Sequence, residues 1–283
     1  MIIYKEVAAL KKKIKAIRKS GKTIGFAPTM GALHQGHISL ITASRKQCDI
    51  TVCSIFVNPT QFNDKIDFDK YPKTISNDIF LLETSGCDIL FLPEVEEIYP
   101  FGMHATTHYN LGDVEYILEG KYRPGHFQGV CQVVHRLLDI VNPNYLFMGQ
   151  KYYQQCMVIK SLVNLVKKEV RMVIVKTVRE ETGLAMSSRN LRLSYEQKKN
   201  APGIFTILNY IKTNLSSVPI PQLETDSKNY LLNNGFSKVD YVSIADADTL
   251  QPGADVSEVK RLVALVAAFT GGVRLIDNML LTD

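Results

Sequence analysis

Residues 23–44 read TIGFAPTMGALHQGHISLITAS. Thr23 to Ala27 is short and apolar, the pattern of a buried strand, and Ile38 to Ser44 has the pattern of a helix opening. Between them Pro28 to His37 forms a strand-to-helix turn with two glycines, Gly31 and Gly36, and two histidines three apart, His34 and His37. A helix that begins at such a turn presents backbone N–H groups and the positive end of its dipole. Phosphate is the commonest ligand of such a site. The stretch therefore predicts an α/β fold with an anion-binding turn at its centre.

Upstream, Val7, Leu10, Ile14 and Ile17 recur at helical spacing and predict an amphipathic helix closing near Ser20-Gly21. Ser20 to Thr23 (SGKT) imitates the tail of a P-loop. That motif needs a glycine where Ala16 stands, and it follows a strand instead of preceding one. Downstream, Asp49 to Val57 reads as a central strand ending in Asn58-Pro59-Thr60-Gln61-Phe62. Then come a helix over 71–85, a strand over 87–92, a helical stripe from Phe127 to Asn142-Pro143 and a strand over 145–148. A helix running to about Val166 and a strand over 170–178 complete the alternation. Alternating strands and helices imply a parallel sheet, whose ligands lie beyond the strands' C-terminal ends. The polar clusters 28–37, 58–62 and 149–155 each follow a strand.

After residue 178 the pattern changes. Ser194 to Gln197 resembles a capping box, a helix covers 222–233, and strands cover 238–245, 261–269 and 273–281. Gly271-Gly272 marks a hairpin between the last two. The expected division is 1–178, an α/β domain, and 179–283, a smaller α+β domain with an antiparallel sheet.

At 283 residues, 46% hydrophobic and 22% charged, the chain is an ordinary globular protein with room for one large or two smaller domains. Its net charge of +5 suits an anionic small molecule and is too diffuse for nucleic acid. Five cysteines, none in CxxC spacing, predict free thiols in a reducing compartment. The start is polar and lysine-rich, and the longest apolar run, Leu262 to Phe269, is too short to span a bilayer. No membrane partner is expected, and the location is read as cytoplasmic.

The candidate residues each carry two readings. His34 and His37 share a face, yet no acidic or cysteine partner has metal-ligand spacing nearby, and the turn favours phosphate contact over a structural role. Gln61 is either a loop residue or a substrate hydrogen-bonder. Lys151 and Gln155 lie four apart on a stripe continued by Ile159, Leu162 and Val166, where a glutamine needs partners. Gln155 either bonds within the protein or lines a pocket, and Lys151 would meet phosphate. Met186 to Asn190 (MSSRN) is a solvated hinge or a polyphosphate cover. His126 opens a helix, His135 is read as surface, and His104 and His108 as loop residues without a role.

Taken together, PTMGALHQGH at 28–37, FVNPTQF at 56–62, RPGHFQGV at 123–130, GQK–YQQ at 149–155, REETGLAMSSRN at 179–190 and RLIDN at 274–278 resemble the pantoate–β-alanine ligase family. HxGH alone marks only the wider nucleotidyltransferase superfamily. The resemblance implies a Rossmann-like doubly wound first domain, a C-terminal lid, Mg²⁺ dependence and a homodimer. It also implies that ATP, pantoate and β-alanine give pantothenate, AMP and pyrophosphate through pantoyl adenylate. On that basis His37 is the proton donor, with His34 and Lys151 also catalytic. Met30, Gly31, His34, Gly36, His37, Gly149, Lys151, Val178, Met186, Ser187, Ser188 and Arg189 bind ATP. Gln61 and Gln155 hold pantoate, and Gln61 also β-alanine. The Mg²⁺ ligands are unknown. One residue departs from the family pattern GxKD: Tyr152 stands where aspartate is expected. Retained activity with an altered KM is the expectation. The competing readings are a nucleotidyltransferase that leaves AMP on a phosphate-bearing acceptor, a non-catalytic nucleotide-binding or RNA-binding module descended from a synthetase, which would need a basic, aromatic stripe that the sequence lacks, and an impaired family member.

Overall fold

The computed structural model describes residues 1–62, 68–103, 107–253 and 261–282. His104 lies outside them. The chain gathers into two compact units. The first holds 1–115, 123–149 and 158–176, and the second holds 116–122, 150–157 and 177–283. The sequence reading placed one cut at 178/179; the second unit also takes in the two short segments at 116–122 and 150–157.

Among the described residues of the first unit, six strands form one parallel sheet. They are β1 (Ile2–Tyr4), β2 (Ile24–Thr29), β3 (Ile50–Ile55), β4 (Ile89–Phe91), β5 (Tyr145–Gly149) and β6 (Arg171–Val175), in the order β1-β4-β3-β2-β5-β6. Continuous burial of β2 and β3 matches their unbroken apolar runs. Strand order reverses at β2: β3 and β4 lie to one side, β5 and β6 to the other. Such a switch point opens a crevice at the strands' carboxyl ends. The ends of β2, β3 and β5, at Thr29, Ile55 and Gly149, therefore neighbour one another. Helix α1 (Val7–Lys19) packs against α4 (His126–Val141), and α2 (Gln35–Gln47) against α3 (Ile75–Thr84). Ala27, Leu40, Ile41, Cys53, Leu82, Leu90 and Phe147 share one core cluster.

Several boundaries differ from the sequence reading. Strand β1 was not anticipated, because three residues are too few to display a period. Strand β2 runs on through Pro28 to Thr29, and α2 begins at Gln35, not Ile38. The helix expected from Tyr71 begins at Ile75, since Pro72 disfavours a helical conformation in the residue before it. The strand expected over 170–178 covers Arg171–Val175.

In the second unit β7 (Lys238–Asp246), β8 (Leu262–Thr270) and β9 (Val273–Leu280) form an antiparallel sheet. Gly271 and Gly272 both have positive φ, as a tight hairpin between right-twisted strands requires. Helices α6 (Tyr195–Asn200), α7 (Gly203–Asn214) and α8 (Ile220–Asn233) accompany the sheet, with Ile204, Leu208, Leu231, Ile244 and Val266 in its core. Ser194 and Gln197 form the expected capping box. Arg274 anchors the 116–122 segment by bonding both oxygens of Glu119 at 2.7 and 2.8 Å, and bonds Asp240 at 2.8 Å. Helix α5 (Tyr153–Leu165) runs from the second unit into the first. No described helix is long and apolar enough to cross a membrane.

Candidate active site

The turn after β2 is held by one carboxylate. Asp78, fully buried on α3, accepts N–H bonds from Ala32 at 2.9 Å and Leu33 at 2.8 Å, and the Thr74 hydroxyl at 3.0 Å. Gly31 and Ala32 both adopt left-handed backbone, φ 81° and 48°. A Cβ at Gly31 would come within 3.1 Å of Asp78 Oδ2, so glycine fits there for space as well as for φ. The chain then enters α2 with His34 as its N-cap.

The two histidines brace each other. Gly36 N–H donates to His34 Nδ1 at 3.1 Å, and His34 N–H donates to His37 Nδ1 at 3.3 Å, a reciprocal capping box built from imidazoles. Their ring centroids are 4.1 Å apart. With Nδ1 accepting in both rings, the neutral proton sits on Nε2, so each ring presents Nε2–H as a donor. This corrects the expectation of open backbone N–H groups. Those of Ala32, Leu33, His34 and Gly36 bond within the protein.

Gln61 closes a one-turn 3₁₀ helix, Pro59–Gln61, capped by Asn58. Asn58 is 1% exposed. Its Nδ2 donates to Gln61 Oε1 at 3.2 Å and to Gly129 O at 3.1 Å, and its Oδ1 accepts the Tyr99 hydroxyl at 2.7 Å. Burial raises the Tyr99 pKa, which keeps this hydroxyl protonated as a donor. Gln61 Nε2 donates to Met30 Sδ at 3.0 Å, and His126 Nδ1 lies 2.8 Å from Gln61 O. Gly129 lets α4 approach this turn, for a Cβ there would meet Thr60 O at 2.3 Å. His126 is thus a buried support and more than a helix opener. His135, read as surface, is half-buried and bonded to the Tyr109 hydroxyl at 2.9 Å.

In the second unit Lys151 lies in a 3₁₀ turn, Gln150–Tyr152, ahead of α5, and not on the helix itself. Its Nζ donates to Met186 O at 2.9 Å and Ala185 O at 3.2 Å. Burial lowers its pKa to about 8; Arg189 and Arg179 push the same way, and Asp277 opposes them. Met186 N–H donates to Val178 O at 3.0 Å, and Ser187 caps a 3₁₀ turn over Ser188–Arg192. Gln155 is half-buried and its neighbour Gln154 buried; Gln154 bonds the backbone of Ile117 and Glu119. Tyr152 is half-buried. Gly149 ends β5 in the first unit.

Each unit therefore assembles its own share of the predicted residues: Met30, Gly31, His34, Gly36, His37 and Gln61 in the first; Lys151, Val178, Met186, Ser187, Ser188 and Arg189 in the second. Sequence reasoning gave no individual role to Asp78, Asn58, Gly129 or Asn278, although the last three lie within the quoted motifs. Asp78 had a signal, a charge on the stripe shared with Ile75 and Leu82. The thiols offer no nucleophile, since burial raises Cys87, Cys131 and Cys156 to about 12.

Asp78→Ala leaves two buried N–H groups without acceptors, each costing about 1–3 kcal/mol. Urea denaturation is expected to show a loss of about 2–6 kcal/mol, and a loss below ~0.5 kcal/mol contradicts the assigned role.

Residues 2–280 match the family described as pantoate-beta-alanine ligase. The pantothenate synthetase of Porphyromonas gingivalis is 44% identical over 284 residues, covering 100% of both chains. The crystal structure of pantothenate synthetase from Thermus thermophilus matches with a TM-score of 0.92 at 36% identity, covering 100% of both chains. That of the pantoate-beta-alanine ligase from Francisella tularensis, in complex with beta-gamma ATP and beta-alanine, matches at 0.84 with 37% identity, covering 99% of this chain and 98% of that one. A match of this extent, in sequence and in fold alike, is one of common descent: the chain belongs to the pantoate–β-alanine ligase family.

Proposed function

We propose that this chain condenses pantoate with β-alanine, driven by ATP, through a pantoyl-adenylate intermediate. The observation that carries the reading is the full-length family match on a chain whose His34–His37 turn is braced to present two Nε2–H donors.

Pantoate's carboxylate is a poor acyl donor. Its oxygen attacks the α-phosphorus of ATP, a phosphorus–oxygen bond forms, and the bond to pyrophosphate breaks. Charge grows on the phosphoryl oxygens and the leaving pyrophosphate. His34 and His37 donate hydrogen bonds from Nε2–H to those oxygens, His37 being the proton donor of that bond without giving the proton up, and Lys151, Ser187, Ser188 and Arg189 act on the polyphosphate. Met30, Gly31, Gly36, Gly149, Val178 and Met186 contact the nucleotide. Gln61, oriented by Asn58, holds pantoate and β-alanine, and Gln155 holds pantoate. The amine of β-alanine then attacks the acyl carbon, AMP departs with the carboxylate's oxygen, and the amine loses a proton. Excluding water protects the adenylate from hydrolysis.

Among the described residues no group of three or more His, Cys, Asp or Glu gathers to hold a metal. Mg²⁺ carried on ATP's phosphates and its own waters needs no such cage. When bound it neutralises phosphoryl charge; no residue is assigned to it. On this reading the enzyme is a cytoplasmic homodimer of two-domain subunits, 179–283 being the lid, and Tyr152 alters KM without abolishing turnover.

In an AMP-release assay with each substrate omitted in turn, free AMP is expected only when ATP, pantoate and β-alanine are all present. AMP left on a product would indicate the nucleotidyltransferase reading, and activity gained only on Tyr152→Asp an impaired enzyme. His37→Ala is expected to fold normally and lose adenylate formation by roughly 100- to 1000-fold. Near-normal turnover would remove His37 from the mechanism.

Lys151, lowered to about 8, is charged below that pH and neutral above it. Above that pH Lys151 loses the positive charge that attracts the polyphosphate, so kcat/KM for ATP is expected to fall as pH rises through about 8. In Lys151→Arg the limb disappears, because arginine stays protonated. A profile flat to about pH 9.5 in the parent enzyme contradicts the role.

A further inference from the structure

Two consecutive residues of β9 hold both sides of Lys151's surroundings. Asn278, 2% exposed, donates from Nδ2 to Gln150 O at 2.8 Å and to Lys151 O at 2.9 Å. Gln150 Nε2 returns a bond to Asn278 Oδ1 at 3.3 Å. One turn of 3₁₀ helix has little stability of its own. Here its carbonyls are tied to a strand whose ladder pairs Asn278 with Leu265 of β8.

Asp277, 4% exposed, binds the other side. Its carboxylate accepts from Arg179 Nη1 at 2.5 Å and Nη2 at 3.2 Å. That guanidinium lies 4.3 Å over the Phe205 ring and donates to Gly183 O at 3.0 Å. It thereby anchors the bend over 179–186, whose last two residues, Ala185 and Met186, supply the carbonyls that Lys151 Nζ grips. Successive strand side chains point to opposite faces, so the dipeptide reaches both segments at once. Lys151, Ala185, Phe205 and Asp277 also border one small cavity, which places both anchored segments and the lysine side by side.

We propose that Asp277 and Asn278 are positioning residues: they set the distance between the Lys151 turn and the 185–189 loop, and so fix where the Lys151 charge meets the polyphosphate. This rests on the reading of Lys151 as a phosphate donor. On this proposal both act through Lys151 and the loop it grips. In the resting enzyme Lys151 is parked on the Ala185 and Met186 carbonyls, and Asn278 keeps its backbone still while the ammonium exchanges those carbonyls for phosphate oxygens. An error of about 1 Å in such placement costs on the order of 100-fold in rate.

The test compares Asn278→Ala, Lys151→Ala and the double variant in full-length enzyme, with Asn278→Asp as a second, size-matched variant should the alanine form fail to fold. The readouts are kcat/KM for ATP, KM for pantoate, and the titration midpoint of Lys151 followed by NMR after ¹³C-methylation, assigned with Lys151→Arg. Asn278→Ala is expected to lower kcat/KM for ATP by about 10- to 100-fold, with KM for pantoate within about twofold of the parent. It is also expected to move the Lys151 midpoint upward from about 8, as the freed ammonium regains water. In the Lys151→Ala background the same change should cost less than about twofold, since residues acting through one group are not additive. Losses that multiply in the double variant, or ATP kinetics in Asn278→Ala within about twofold of the parent, overturn the proposal. Parent-like ATP kinetics in Lys151→Ala alone would refute the phosphate-donor reading; positioning is then judged by the Lys151 midpoint, and one unmoved in Asn278→Ala overturns it.

Discussion

A buried carboxylate on α3 is the constraint from which the rest of the first unit's site follows. Isolating a carboxylate from water costs several kcal/mol unless it is bonded. Asp78 is offset by charge-assisted bonds from Ala32, Leu33 and Thr74, and those bonds hold the left-handed Gly31–Ala32 backbone. The turn can then deliver His34 to the N-cap of α2, where the two imidazoles cap the helix for each other. Their tautomer is thereby a consequence of a carboxylate one helix away. Removing the charge would loosen a backbone before it touched any chemistry.

The same device recurs wherever a reactive side chain is placed. Asn58 holds the carboxamide of Gln61, and Asn278 holds the backbone of Lys151. In each case a buried polar side chain commits its hydrogen bonds to loop backbone or to another polar group, and the donor it supports inherits the rigidity of a strand or helix. Short 3₁₀ turns carry both Gln61 and Lys151, and both need that outside support.

Much of this was legible in the sequence. The alternation of apolar runs exposes the parallel sheet, Gly271-Gly272 the hairpin, and Ser194–Gln197 the capping box. The clusters after β2, β3 and β5 mark the ligand edge because a parallel sheet has only one. What escaped was set by contacts distant in sequence. Asp78 lies 46 residues from Ala32, and Asn278 lies 127 from Lys151. No local period announces such pairs. The N–H groups of Ala32 and Leu33 seemed open for the same reason, since their acceptor is the carboxylate of Asp78, 46 and 45 residues away; those of His34 and Gly36 are taken by the neighbouring imidazoles, an unusual use of histidine at a helix start. Pro72 accounts for the later start of α3, and its three-residue length for the unseen β1.

On the function proposed, the carboxylate of pantoate is activated as an adenylate, with charge on the α-phosphoryl group met by donors braced in advance. Following oxygen tests it most directly. With pantoate labelled with ¹⁸O in both carboxylate oxygens, attack on the α-phosphorus and later loss of AMP carry one labelled oxygen into the phosphate of AMP. Mass spectrometry of the products is predicted to find one ¹⁸O atom in AMP and none in pyrophosphate. Unlabelled AMP, or label recovered in inorganic phosphate beside ADP, would contradict the adenylate and with it the roles given to His34, His37 and Lys151.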